Sequence, residues 1–119
     1  MMTILIIEDE AQLREEVREF LEYEEYRVLE ASDGESGLQM ALEQAPDLIL
    51  CDMMMPGING NEVFERLQAN PRTDHIPFVM LTASASQEEI ENSLSLGIDG
   101  YIVKPFEIDV ILSKIQQFA

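Results

Sequence analysis

The sequence predicts an α/β fold, a doubly wound parallel sheet built from five βα units, on three observations. Short apolar runs alternate along the chain with segments of helical periodicity. Four of the five runs are nearly continuous rather than alternating, which suits strands buried on both faces of a parallel sheet. Glycine and proline fall at the junctions between the two kinds of segment.

The predicted strands lie at residues 4–7, 28–29, 48–51, 78–81 and 101–103. Leu13, Val17, Phe20 and Leu21 share one face of a first helix, and Leu38, Ala41, Leu42 and Ala45 one face of a second. Val63, Phe64 and Leu67 make a third set, and Ile90 and Leu94 a thin fourth. Ile108, Ile111, Leu112, Ile115 and Phe118 make the last. Ser32-Asp33-Gly34 separates the second strand from the second helix, and Gly57 and Gly60 bracket the loop after the third strand. Pro71 and Pro77 flank the turn into the fourth strand, Gly97 stops the fourth helix and Gly100 opens the fifth strand. Right-handed crossovers then place helices on both faces of the sheet.

A chain of 119 residues with 46% hydrophobic content suits one domain with one core, spanning residues 1–119. No apolar stretch approaches the length of a membrane span. The opening MMTILIIEDE lacks the basic region and small-residue cleavage site of a signal peptide. The single cysteine, Cys51, excludes an internal disulfide framework and fits a reducing cytoplasm; inside an apolar run it reads as a small buried hydrophobe. Twenty-four acids against seven bases give a net charge of -17, which argues against direct binding of nucleic acid or an anionic membrane. The same charge permits basic partners and divalent cations, and it also serves solubility.

The stretch LILCDMMMPG runs an apolar segment straight into Asp52, although a carboxylate is costly to bury without a partner. In doubly wound sheets, ligands bind beyond the carboxyl ends of the strands, where strand order reverses. Strand one ends in Glu8-Asp9-Glu10, strand three in Asp52, strand four in Thr82-Ala83-Ser84 and strand five in Lys104-Pro105. If strands one and three are neighbours, Glu8, Asp9 and Asp52 converge on one rim, with Thr82 and Lys104 coming from the strands beyond. Such acids repel one another by roughly 4 kcal/mol per pair at about 4 Å and an effective dielectric near 20. A hard divalent cation relieves that repulsion, and carboxylates with water are the usual company of Mg2+. An aspartate beside Mg2+, a lysine and a hydroxyl has the makings of a phosphoryl acceptor. Taken singly, the acidic triplet reads as a solvated helix start, Thr82 as a helix cap and Lys104 as a snorkelling residue. The specificity lies in their combination.

The chain resembles the receiver domains of two-component response regulators, the CheY-like superfamily, over its whole length. The resemblance rests on the acidic pair after the first strand and on D-x-x-M-P-x-x-x-G at Asp52, Met55, Pro56 and Gly60. It rests also on T-A at Thr82-Ala83 and K-P-F at Lys104-Pro105-Phe106. It implies a flavodoxin-like (βα)5 sheet of strand order 2-1-3-4-5. It implies that Asp52 accepts a phosphoryl group from a sensor histidine kinase or a histidine phosphotransfer protein. Mg2+, or another divalent cation such as Mn2+, would be held by Asp9, Asp52 and the Met54 backbone carbonyl, with Glu8 supporting it through water. Lys104 would contact Asp52 and then the phosphoryl oxygen, Thr82 would move inward to it, and Tyr101 would follow as an aromatic switch. The bond preceding Pro105 would be cis. Met53 is expected in the core, Met55 anchoring the loop, and Met54 and Ser84 at the pocket edge. Ile98 departs from the alanine frequent in the family and calls for local repacking.

Such a domain is a phosphoacceptor rather than an enzyme acting on other substrates; it catalyses its own phosphoryl transfer and slow dephosphorylation. The thin fourth helix, residues 87–96, is the expected moving element. With the fifth strand, the last helix and Val110, it offers a surface to an effector domain or a second copy. Three other readings compete: an adaptor of the same fold that works without phosphorylation, a Mg2+-dependent phosphohydrolase, and a flavin binder. The first requires a lost acceptor, lysine or acidic pair, and none is lost. The second usually carries a second acid where Met54 stands, and the third would meet repulsion from Glu8-Asp9-Glu10. The chain ends directly after the last predicted helix, which suits a stand-alone regulator and the front of a longer one equally.

Overall fold

The computed structural model describes residues 1–83, 91–92 and 95–118. Five strands, β1 (Thr3–Ile7), β2 (Arg27–Ala31), β3 (Leu48–Asp52), β4 (Phe78–Thr82) and β5 (Gly100–Val103), form one parallel sheet in the order β2-β1-β3-β4-β5. Among the described residues the helices are α1 (Ala11–Tyr23), α2 (Gly34–Gln44), α3 (Gly60–Gln68) and α4 (Ile108–Gln116). Most of the predicted helix at 87–96, with Ile90 and Leu94, lies outside the described residues, as does Ser84.

The continuous apolar runs are explained by burial on both faces. Leu5, Ile7, Ile49, Cys51, Phe78 and Met80 pack beneath α2 and α3, against Ala41, Val63, Phe64 and Leu67. The alternate residues Ile4, Ile6, Leu48, Leu50, Val79 and Leu81 pack on the opposite face, against Val17 and Leu21 of α1 and Ile111 and Ile115 of α4. Period-two alternation thus splits each run between two cores. The rings of Phe64 and Phe78 meet at 5.2 Å in a tilted pair. Ile98 is buried in the first cluster, so the larger side chain is accommodated.

Two expectations need correction. The second strand is longer than residues 28–29, because as an edge strand it is only partly covered and carries Arg27 and Glu30 among its apolar residues. Ala45 does not belong to the buried face of α2. It is exposed and caps the helix in a left-handed conformation at φ 47°, because Pro46 disfavours helical geometry in the residue before it.

The loop that follows β3 is closed by backbone geometry. Gly57 takes φ +82°, which costs a glycine little, and the Gly60 N–H donates to the Met53 carbonyl at 2.9 Å. Asn59 then caps α3, its side chain accepting from the Glu62 N–H at 2.9 Å. Asn59→Ala is expected to lower stability by about 1 kcal/mol, read as a shift of the urea midpoint at unchanged slope.

Candidate functional site

Strand register brings the site together. Ile7 pairs with Cys51, Asp52 with Leu81 and Thr82 with Val103. Glu8, Asp52, Thr82 and Lys104 therefore stand side by side along the carboxyl edge, spanning the point between β1 and β3 where strand order reverses. Backbone bonds lock this edge: Met53 N–H donates to Leu81 at 2.8 Å, and Lys104 N–H donates to Thr82 at 2.7 Å. The Lys104–Pro105 peptide bond is cis.

The Lys104 ammonium supplies the partner that the buried Asp52 carboxylate needs. Its Nζ lies 2.8 Å from Glu8 Oε1 and 3.2 Å from Asp52 Oδ1. Asp52 is 6% exposed and Glu8 only 1%, so the deeper acid is Glu8. Burial at Lys104 works against its charge, but the hydrogen bond and attraction from Glu8, then Asp52, hold the ammonium above its ordinary range. Burial pushes Glu8 up to about 7, against the lowering effect of its hydrogen bonds from Lys104 and the Glu10 N–H and with further raising by Asp52.

Glu8 is thus raised from 4.5 to about 7 in the folded chain, so the native state holds more protons than the unfolded chain between those values. Its stability contribution is fully present below 4.5 and is lost as pH rises through about 7. In chelator-containing buffer, the melting temperature at pH 5.5 is expected to exceed that at pH 8 by more in the native chain than in Glu8→Gln.

Glu8, Asp9 and Asp52 each offer a carboxylate oxygen, and these atoms lie within 4.8 Å of one another, a group that could hold a metal ion. Asp9 is exposed while the other two are buried, so the cluster opens to solvent on one side. The donors are all hard oxygens, the set Mg2+ and Mn2+ prefer, and the Lys104 ammonium, in contact with Glu8 and Asp52, offsets part of their charge.

Around this cluster, Thr82 is buried at the end of β4, and Tyr101 is half-buried against the α2–α3 core. Met53 packs partly against that core, Met55 is buried in it, and Met54 is 70% exposed. Val110 stands exposed on α4. The sequence pattern misses one feature of the site. Glu8 reads there as an outer support, and its ion pair with Lys104 is invisible. A cue is present all the same: Glu8 directly extends a run of four aliphatic residues.

Fold and site together define a doubly wound α/β domain with an acidic, lysine-bearing cluster at the carboxyl edge of its sheet. The chain belongs to the response regulator receiver domain family, whose profile matches residues 4–116. It is 40% identical over 116 residues to the response regulator ArlR of Staphylococcus saprophyticus, covering 98% of this chain and 51% of that protein. It is 38% identical to the phosphate regulon transcriptional regulatory protein PhoB of Pseudomonas aeruginosa, covering 96% of this chain and 50% of that one. The chain therefore spans about half the length of these curated relatives. Among solved structures it is similar to the chemotaxis response regulator CheY4 of Vibrio cholerae, at TM-score 0.94 and 28% identity, over 100% of this chain and 99% of that one. It is also similar to the receiver domain of the sensor histidine kinase PA1611 of Pseudomonas aeruginosa, which carries a magnesium ion coordinated in its active-site cleft. That match has TM-score 0.89 and 29% identity, over 98% of this chain and 96% of that one. Among the described residues no helix is long and apolar enough to cross a membrane.

Proposed function

We propose that residues 1–119 act as one phosphoacceptor domain in which Asp52 takes a phosphoryl group from a phosphohistidine of a sensor kinase or phosphotransfer protein. The observation that carries this reading is the Lys104 Nζ at 3.2 Å from Asp52 Oδ1, on a rim where Asp9 and Glu8 also offer oxygens. An Asp52 carboxylate oxygen forms the new P–O bond while the N–P bond to the donor imidazole breaks. The imidazole keeps the electron pair and takes up a proton. Asp9, Asp52 and the Met54 carbonyl would hold Mg2+, with Glu8 supporting it through water. The ion they hold would supply charge stabilisation at the phosphoryl oxygens. Lys104 releases Glu8 to bond a phosphoryl oxygen, and the Thr82 hydroxyl donates to another.

The new group carries about -1.5 to -2 of charge into this pocket. Thr82 is drawn inward, Tyr101 follows, and the surface of β5, α4 and the chain before β5 changes, with Val110 as a contact for an effector domain or a second copy. The regulation of transcription named for several relatives is a property of proteins about twice as long as the matched segment.

Incubation with Mg2+ and acetyl phosphate is expected to add a single phosphoryl group, seen by intact-protein mass. The adduct should require Mg2+ and be absent in Asp52→Ala. Amide hydrogen exchange on the modified protein should change at β5 and α4. A chain that gains no group from any donor, a kinase included, would instead be an adaptor working without phosphorylation.

A further inference from the structure

Arg14 lies outside every motif that marks the site, on the fourth residue of α1. Its side chain nevertheless reaches back to the acidic pair. Nη1 donates to the Glu8 backbone carbonyl at 2.7 Å, while Nε donates to Glu30 Oε1 on β2 at 3.3 Å. Glu30 is itself braced by Arg18, whose Nη1 donates to Oε2 at 3.1 Å. The Glu8 N–H donates to Ala31 at 3.0 Å. The Glu8 side chain accepts from Lys104 and from the Glu10 N–H. Glu8 is therefore tied at its N–H, its carboxylate and its carbonyl, and the tie at the carbonyl comes from Arg14.

That carbonyl is half of the peptide plane joining Glu8 to Asp9. Rotating the plane swings the Asp9 Cα, and with it the Asp9 carboxylate, relative to Asp52. Asp9 is exposed, so packing does not fix its direction. A guanidinium suits the task because its planar fork serves a carbonyl and a carboxylate at once, which a single ammonium cannot do in the same geometry. Glu30, shared with Arg18, pairs with the Arg14 guanidinium on the side away from the Glu8 carbonyl bond, so what Arg14 contributes at the acidic pair is a directed hydrogen bond.

We infer that Arg14, braced by Glu30, is a positioning residue that sets the Glu8–Asp9 peptide plane and thereby the affinity of the acidic cluster for a divalent cation. The inference rests on the receiver reading of that cluster. Groups that orient metal-binding side chains typically change metal affinity by about 10–100-fold when removed.

The test is calorimetric titration of the unphosphorylated chain with Mg2+, with melting curves recorded alongside. Arg14→Ala is expected to bind Mg2+ about tenfold more weakly at a temperature where it is fully folded. Arg14→Lys keeps the charge and the helix packing, and is expected to be weakened as well. If Arg14→Ala fails to fold, the lysine variant decides the matter. A variant with a lowered melting temperature but native Mg2+ affinity would overturn the inference, because that is the signature of a purely structural contact. If the unsubstituted chain fails to bind Mg2+, the receiver reading falls and the inference with it; if it binds and both variants bind equally well, the inference alone falls.

Discussion

Lys104→Ala is expected to slow phosphoryl uptake by about 10²–10³-fold, the usual consequence of removing one charge-stabilising donor from a preorganised site. The acceptor and the acidic pair remain, so the adduct should still form given time, and should still require Mg2+. Stability should suffer as well. Glu8 is 1% exposed and takes its shorter ion pair from Lys104 at 2.8 Å, against 3.2 Å for Asp52. Removing one partner of such a pair typically costs about 3–5 kcal/mol while the stranded charge persists. Protonating Glu8 removes that charge, so the deficit should be larger at pH 8 than at pH 5.5. Urea denaturation at both values, with rates of adduct formation by intact mass, checks the two parts separately. An unchanged uptake rate would mean that Lys104 does not meet the phosphoryl group.

Gly60→Ala is expected to damage the site from behind. A Cβ at Gly60 would stand 2.7 Å from the Asp52 carbonyl oxygen, 3.0 Å from Met53 Cα and 2.5 Å from Met80 Sδ. The Met80 side chain can bend away, but the two backbone atoms belong to Asp52, the last residue of β3, and to Met53 directly after it, and cannot yield without moving Asp52. Alanine gains about 1 kcal/mol over glycine in helix propensity, yet overpacking at a core backbone contact typically costs about 1–3 kcal/mol or more. The second effect should win, with a lowered melting temperature and slower phosphoryl uptake by the protein that remains folded. A faster or unchanged uptake would show that the loop tolerates displacement.

The parallel sheet is legible in the sequence because its strands are buried on both faces, which leaves continuous runs such as ILII and LILC that no amphipathic helix would carry. The edge strand reads short because Arg27 and Glu30 are tolerated where one side of the strand lacks a neighbour. Ala45 is misplaced by periodicity alone, which extends a helix until something stops it, and here the stop comes from Pro46. Strand-end positions reveal the site residues, since register aligns whatever follows each apolar run. What the linear pattern cannot carry is partnership across the edge. Glu8 and Lys104 are 96 residues apart, and the contact of Arg14 with the Glu8 carbonyl depends on the angle at which α1 leaves β1. Gly60 is visible as part of a motif, but its reason is a packing fact: any side chain there would meet the Asp52 carbonyl, 2.7 Å from where a Cβ would stand.

The most direct test of Asp52 as acceptor is its chemical localisation. The chain is incubated with acetyl phosphate and Mg2+, reduced with borohydride, which converts an acyl phosphate to an alcohol, and mapped by peptide mass. The expected result is one reduced carboxylate, homoserine at position 52, appearing only when Mg2+ is present. Reduction at Asp9 or Glu8 instead, or labelling at position 52 that proceeds equally well in chelator, would contradict it.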